Sequence, residues 1–150
     1  MEYQWTYATC TPNFSVGHPA RQRVEAAMRD LGYSRSLVIK GGDHRPPGAD
    51  GPDADWQKWF FDAPAAQRRT NTHKRVRGRP NQRYALLFRD YLRAHPKTAT
   101  AYARLKRQLA ENLADPDTYP DVKDPAVDLI FFAAEDWATL SRWQPGPSDG

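Results

Sequence analysis

At 150 residues the chain is long enough to bury a real core in one domain. It holds one cysteine, Cys10, so no intrachain disulfide can form, and this lone thiol without a basic, apolar leader points to the cytoplasm. With 22 basic and 18 acidic residues the net charge is a mild +4, and no apolar run approaches the roughly 20 residues that span a bilayer, so a membrane is not an expected partner. How the charge is distributed says more than its total. Residues 68–79 carry six Lys/Arg and no acid, whereas residues 43–55 carry four aspartates.

In chain order, Tyr3, Trp5 and Tyr7 alternate with polar residues, which suggests an edge strand before Pro12, Asn13 and Gly17 break it. Pro19–Leu31 reads as a helix. Proline suits a first helical position, Val24, Ala27, Met28 and Leu31 recur at helical spacing, and Gly32 is a natural stop. Tyr33–Lys40, with Leu37, Val38 and Ile39, reads as a strand. Residues 41–55 contain seven glycines and prolines in fifteen positions and read as a long surface loop. Trp56–Phe61 is a second strand. A turn around Pro64 leads into a third, residues 69–77, that would pair with it as a hairpin.

Three helices follow. Tyr84, Leu87, Phe88, Tyr91 and Leu92 form one stripe, and His95-Pro96 ends that helix, because a residue before proline avoids the α region. Ala99, Tyr102, Leu105, Leu109 and Leu113 form the second stripe, stopped at Asp115-Pro116. Asp124-Pro125 reads as the cap and first position of the third helix, with Ile130, Ala133, Ala134, Trp137 and Leu140 as its apolar face. The fold class is therefore α+β: a small mixed or antiparallel sheet followed by three C-terminal helices. Residues 1–17 form an atypical N-terminal segment, 18–143 the domain, and 144–150 a frayed tail.

The chemistry concentrates on the third strand. Alternation places Arg69, Asn71, His73, Arg75 and Arg77 on one face, and Thr70, Thr72, Lys74 and Val76 on the other. Arginine forks match phosphate oxygens, so a nucleotide or another phosphate-bearing small molecule is the expected partner, with nucleic acid left open. The plainer reading is a solvated edge strand kept from aggregating by its charge. His73 sits among cations, which disfavour its protonation. Asp50, Asp53 and Asp55 could in principle hold Ca²⁺ or Mg²⁺, but the bidentate glutamate of a calcium loop is missing and a solvated flexible loop fits better. Trp56, Trp59, Phe60 and Phe61 could stack on a base; strand alternation favours a core role for at least half of them. Cys10 has no partner histidine at a recognisable spacing, and His95 before Pro96 suits capping or exposure. No P-loop, dinucleotide fingerprint, nucleophile elbow or zinc pattern occurs.

The string Phe88-Arg89-Asp90-Tyr91-Leu92-Arg93-Ala94-His95-Pro96, with Ala101-Tyr102, Leu105-Lys106, Leu109-Ala110, Tyr119 and Lys123 after it, resembles the GrpB-like family. The Leu31-Gly32-Tyr33 turn fits the same family, and the likeness covers about residues 19 to 140. The resemblance implies a nucleotidyltransferase-type core with C-terminal helices, a domain also found fused behind dephospho-CoA kinase. The strand bearing His73 resembles the family's His-x-His strand, with Arg75 at the second position. The resemblance implies an N-terminal Gly-Ser turn followed by a strand with an aspartate, elements that in nucleotidyltransferase folds hold triphosphate and Mg²⁺. Here no Gly-Ser pair precedes residue 30, and Glu25 and Asp30 fall on the first helix; Phe14-Ser15-Val16 would be a remnant strand. Either the chain is truncated or this member has lost the chemistry. The expectation is a binding domain whose contacts are Arg69, Asn71, His73, Arg75, Arg89 and Lys106, with Asp90 pairing to a neighbouring cation. Mg²⁺ would enter only with a bound nucleotide, and catalysis lacks its carboxylates. The alternative is a non-catalytic accessory or interaction domain with no nucleotide ligand.

Overall fold

The computed structural model describes residues 19–36, 42–68 and 70–146. The expectations for Tyr3 to Tyr7, Cys10, Phe14 to Val16, Leu37 to Ile39, Arg69 and the last four residues lie outside these. The elements are α1 (Pro19–Asp30), β1 (Ser34–Arg35), β2 (Trp59–Asp62), β3 (Asn71–Lys74), α2 (Pro80–Ala94), α3 (Pro96–Asn112) and α4 (Tyr119–Ser141), with short 3₁₀ turns at Asp53–Trp56 and Pro116–Thr118. The fold is α+β, and its sheet is antiparallel, in the order β1-β2-β3. The chain divides into two compact units, one holding the sheet and residues up to Gln82, the other holding Pro46–Ala49 and Arg83–Gly146.

In the first unit, α1 ends as its sequence requires. Gly32 adopts φ +82°, its N–H reaches the Arg29 carbonyl at 2.8 Å, and the Tyr33 N–H reaches the Met28 carbonyl at 2.9 Å. These paired bonds satisfy two of the carbonyls a helix end leaves open. Met28 is buried, whereas Leu31, placed on the apolar face by periodicity, is 66% exposed because the chain turns away at Gly32. Arg35 on β1 pairs with Glu25 of α1 at 3.7 Å and lies 4.8 Å over the Trp59 ring of β2.

β2 and β3 form the expected hairpin. Phe60 faces His73, Phe61 faces Thr72 and Asp62 faces Asn71. Directly opposed residues share a sheet face, so Asn71 and His73 lie together, as alternation required. β2 begins three residues later than the aromatic run suggested, because Trp56 belongs to the preceding 3₁₀ turn. There its indole is buried and its Nε1 donates to the Asp50 carbonyl at 2.9 Å. β3 is also shorter than residues 69–77: Arg75 and Val76 fall beyond the ladder. Trp56, Phe60 and Phe61 are core residues, and only Trp59 stays partly open.

Residues 42–57 are not the free solvated loop the glycines and prolines suggested. A bridge between Gly42 and Gln57 closes them, Asp43 N–H donates to the Trp56 carbonyl at 2.8 Å, and Arg45 pairs with Asp53 at 2.8 Å. Gly51 sits at φ +85°, and a Cβ there would come within 3.0 Å of Pro80. Local turn chemistry indicated the irregular backbone, while the bonds that fix it join the two ends of the segment and, through Asp43, reach Arg75 and Asn81.

The second unit is helical. Leu87 and Tyr91 of α2 pack with Phe131, Ala134 and Ala138 of α4, flanked by Tyr84, Leu92, Ile130, Trp137 and Trp143. Tyr84 meets Phe131 at 5.1 Å and Phe88 meets Tyr102 of α3 at 5.5 Å. The α2 stripe read from sequence faces this core in part: Leu87, Phe88 and Tyr91 are buried and Tyr84 and Leu92 half-buried, but Ala85 and Leu86, outside the stripe, are buried as well. That of α4 is displaced: Val127, Phe131, Ala134 and Ala138 are buried, whereas Leu140 is 85% exposed. Several apolar residues crowd this helix, so periodicity alone fits more than one face. α4 also starts before Asp124. Thr118 and Pro120 open it, and Pro125 lies inside, where it removes one backbone bond near the N-terminal end. Arg83 forms a bidentate pair with Glu135, its Nη2 lying 2.7 Å from Oε2. Among the described residues no helix is long and apolar enough to cross a membrane.

α4 ends on Arg142, a non-glycine residue at φ +53°. Left-handed backbone costs an L-residue with a Cβ about 1 kcal/mol. Arg142→Gly is expected to raise stability by about 0.5–1 kcal/mol, read as a higher urea midpoint at unchanged slope; a lower midpoint would refute the strain.

Candidate functional site

The site is organised by a residue that no sequence pattern singled out. Asp43 has a side chain only 4% exposed. Arg75 grips it with both arms of its fork, Nε to Oδ2 at 2.7 Å and Nη2 to Oδ1 at 2.7 Å. Lys58 Nζ donates to Oδ1 at 2.8 Å, and Asn81 Nδ2 donates to Oδ2 at 3.2 Å. Asn81 is fully buried and also donates to the Gln57 carbonyl at 3.0 Å. Four segments therefore meet at one carboxylate: the start of the 42–57 segment, the entry to β2, the exit from β3 and the first turn of α2.

His73 stands beside this group on β3, with its ring edge-on to Phe60 at 5.0 Å. Burial pushes its imidazole down, Lys58 and Arg75 push it further, and nearby Asp43 opposes them; the result is a pKa of about 3 against an ordinary 6.5. The histidine is thus neutral at physiological pH, as its cationic neighbours implied, although burial contributes most. For Asp43, burial acts to raise the carboxyl pKa. Its bonds and charge attraction to Arg75 and then Lys58 outweigh that and hold it below 3.8. Among the buried polar atoms, His73 Nδ1 and Asn81 Oδ1 have no hydrogen-bond partner among the described residues.

The residues expected to bind phosphate are distributed as follows. Asn71 and His73 share a face. Arg75 lies next to them with its fork directed at Asp43. Arg89 and Lys106 belong to the helical unit. Arg89 Nε lies 2.7 Å from Asp90 Oδ1, the pairing expected of that acid, and Trp143 Nε1 donates to the other oxygen at 3.0 Å. Lys106 lies 4.8 Å over the Tyr102 ring; burial and then the charge of Lys123 lower its pKa. His95 caps the end of α2, its Nδ1 lying 2.8 Å from the Tyr91 carbonyl oxygen. Of the acidic loop, Asp53 and Asp55 are tied to Arg45 and Arg79. Among the described residues no three His, Cys, Asp or Glu side chains are placed to hold a metal ion.

Asp43, Lys58 and Asn81 escaped sequence reasoning. The one usable signal was Lys58, a charge inside the aromatic run Trp56–Phe61, where burial would demand an anion. Which acid would answer it was not readable, since Asp43 lies 15 residues from Lys58 and 32 from Arg75.

Residues 14–132 match the family described as GrpB protein. The chain is 40% identical over 136 residues to "Dephospho-CoA kinase" of Mycolicibacterium paratuberculosis, covering 89% of this chain and 31% of that protein. It is 37% identical over 137 residues to the protein of the same name in Mycobacterium leprae, with the same coverage. It is 35% identical over 140 residues to "UPF0157 protein YqkA" of Bacillus subtilis, covering 93% of this chain and 38% of that protein. The chain therefore belongs to the GrpB family. It spans about a third of the length of these relatives.

Removing one partner from a buried ion pair costs about 3–5 kcal/mol. Asp43→Ala is expected to lose that much, measured by urea unfolding; a loss below about 1 kcal/mol would show that the network does not hold the unit together. Acid should act through both titrating groups. Below pH 6.5 the unfolded chain binds a proton at His73 that the folded chain refuses until about pH 3, so stability falls over that window. Asp43 contributes stability above 3.8 that is lost as pH drops through its lowered folded value. In His73→Phe the decline between pH 6.5 and 4 should flatten, checked by urea midpoints against pH; an unchanged slope would refute the assignment.

Proposed function

We propose that this GrpB domain binds a nucleotide or another phosphate-bearing small molecule at the β2–β3 hairpin, with no catalytic step assigned to it. The observation that carries the reading is that His73 Nδ1 and Asn81 Oδ1, buried beside the Asp43 network, have no hydrogen-bond partner among the described residues. An unsatisfied buried polar group costs about 1–3 kcal/mol, and such groups mark places where a ligand or water completes the bonding. Lys58 and Arg75 are engaged by Asp43, and the exposed Arg77 supplies cationic charge suited to phosphate. Asn71 and His73 share the contacting face, and Arg75 acts through Asp43. Arg69 remains a candidate for a further contact there, and Arg89 and Lys106 are separate phosphate-binding candidates of the helical unit.

Two of the relatives carry the name dephospho-CoA kinase, which makes a nucleotide-bearing molecule a natural ligand class for this domain as well. Kinship to nucleotidyltransferases belongs to the same reading, as does a cytoplasmic location suited to a chain with one cysteine. Transfer chemistry would need clustered carboxylates on Mg²⁺. Asp43, the buried carboxylate of this site, is engaged by Arg75 and Lys58.

Thermal shift with adenine nucleotides, with and without Mg²⁺, tests the reading. Stabilisation independent of Mg²⁺ is expected. The apparent Kd should rise about tenfold in Asn71→Ala/Arg77→Ala, the loss of about 1.4 kcal/mol of binding. Stabilisation that requires Mg²⁺ would restore an enzyme reading.

A second reading, an accessory domain without a nucleotide ligand, is favoured by the outer side of α4, where Val122, Leu129, Phe132 and Leu140 are exposed. Exposed apolar side chains along one helix suit contact with another protein surface. In that case no nucleotide shifts the melting temperature.

A further inference from the structure

Most acids among the described residues of the sheet-bearing unit are matched by a cation. Asp43 meets Lys58 and Arg75, Asp53 meets Arg45, Asp55 meets Arg79 and Glu25 meets Arg35. Asp30 and Asp50 are exposed to water. Asp62 differs from both groups. It is half-buried at the end of the central strand β2, and it meets no cation among the described residues. Strands disfavour aspartate, so packing alone gives no reason for a carboxylate there.

The register fixes what surrounds it. Asp62 lies directly between Ser34 of β1 and Asn71 of β3. Opposed residues share a face, with Cβ atoms about 5 Å apart. The three side chains therefore stand in one row, Ser34 exposed and the other two half-buried, so the row is open to solvent. Phe60 and His73 form the next row of the same face. Helix α1 lies against the opposite face, where Glu25 reaches Arg35 in the row of Phe61 and Thr72.

An anion brought to the row of Asp62 would meet its carboxylate at close range and be repelled. Phosphate is thus left to the exposed Arg77, past the far end of β3, and Asn71 serves the part of the ligand away from it. The row itself suits a cation with hydrogens to give. It offers a carboxylate, an amide oxygen and a hydroxyl oxygen, and an ammonium carries three donors and no acceptor. A divalent metal ion is poorly served, since no three His, Cys, Asp or Glu side chains gather among the described residues.

We propose that Ser34, Asp62 and Asn71 form a subsite for a primary ammonium group, so that the ligand of this domain joins an amine to its phosphate. The joining of the two rests on the phosphate reading above, whereas the ammonium subsite rests on the sheet register. The face then sorts ligands by charge at both ends, because a phosphate compound without an amine leaves Asp62 uncompensated.

The test uses the full chain and three probes, titrated by calorimetry near neutral pH without metal. They are AMP, AMP carrying a six-carbon aminoalkyl arm on its adenine, and the same compound acetylated on that amine, which keeps the arm and loses the charge. The amine form is expected to bind about fivefold more tightly than the acetylated form, as suits a half-open ion pair. In Asp62→Asn, which keeps the shape and removes the charge, this preference should vanish while AMP binding is kept. Equal binding of the amine and acetylated forms to the unaltered chain would overturn the ammonium subsite and leave the phosphate reading standing. A preference that survives in Asp62→Asn would overturn the subsite too, because the amine is then held elsewhere. Binding of the amine form alone, lost in Asp62→Asn, would uphold the subsite and overturn the phosphate reading. No binding of any probe would overturn both. If Asp62→Asn does not fold, the comparison of the amine and acetylated forms on the unaltered chain decides.

Discussion

One carboxylate holds the sheet-bearing unit together. Asp43 is taken out of water, which by itself would cost several kcal/mol, and three side chains from three other segments compensate it. The hairpin, the 42–57 segment and the first turn of α2 are thus fixed by ionic and hydrogen-bond geometry as well as by apolar packing. Ion pairs of this kind add less net stability than their short distances suggest. They do fix which strand exit meets which turn, because any other arrangement would leave a buried charge alone.

His73 depends on the same arrangement. Its strand partner Phe60 lies edge-on to the ring, and burial and the cations beside Asp43 act on it. The fold keeps a histidine neutral by burying it near fixed positive charge, so its hydrogen-bonding capacity is available without its titration. Arg75, which looked like a phosphate fork in sequence, serves the interior of this arrangement. Guanidinium geometry suits both tasks, because carboxylate and phosphate present similarly spaced oxygens.

The periodic and locally punctuated parts of the fold were legible. Helical spacing placed α2 and α3, Gly32 placed the end of α1, and two-residue alternation set Asn71 and His73 on a common face. The illegible parts had physical causes. α4 is apolar on more sides than one, so its buried face could not be chosen from spacing, and Pro125 looked like a start because its proline restriction also suits a first turn. The 42–57 segment looked unstructured because its ordering bonds run to the Trp56 carbonyl, Arg75 and Asn81. A pairing over 32 or 38 residues leaves no trace in local composition. Half of the candidate site was therefore visible as a charged strand, and the acid, lysine and amide that organise it were not.

The same segment also governs how the chain can change length. At Gly51 φ is +85°, and a Cβ would come 3.0 Å from Pro80 Cγ, so a side chain there would press on the proline that opens α2. At Gly48 a Cβ would meet nothing within 4 Å. Loop closure grows costlier only slowly with length, so extra residues at Gly48 would leave the bridge between Gly42 and Gln57 and the bonds of Asp43 in place. Gly48 is thus the more permissive of the two glycines for added chain.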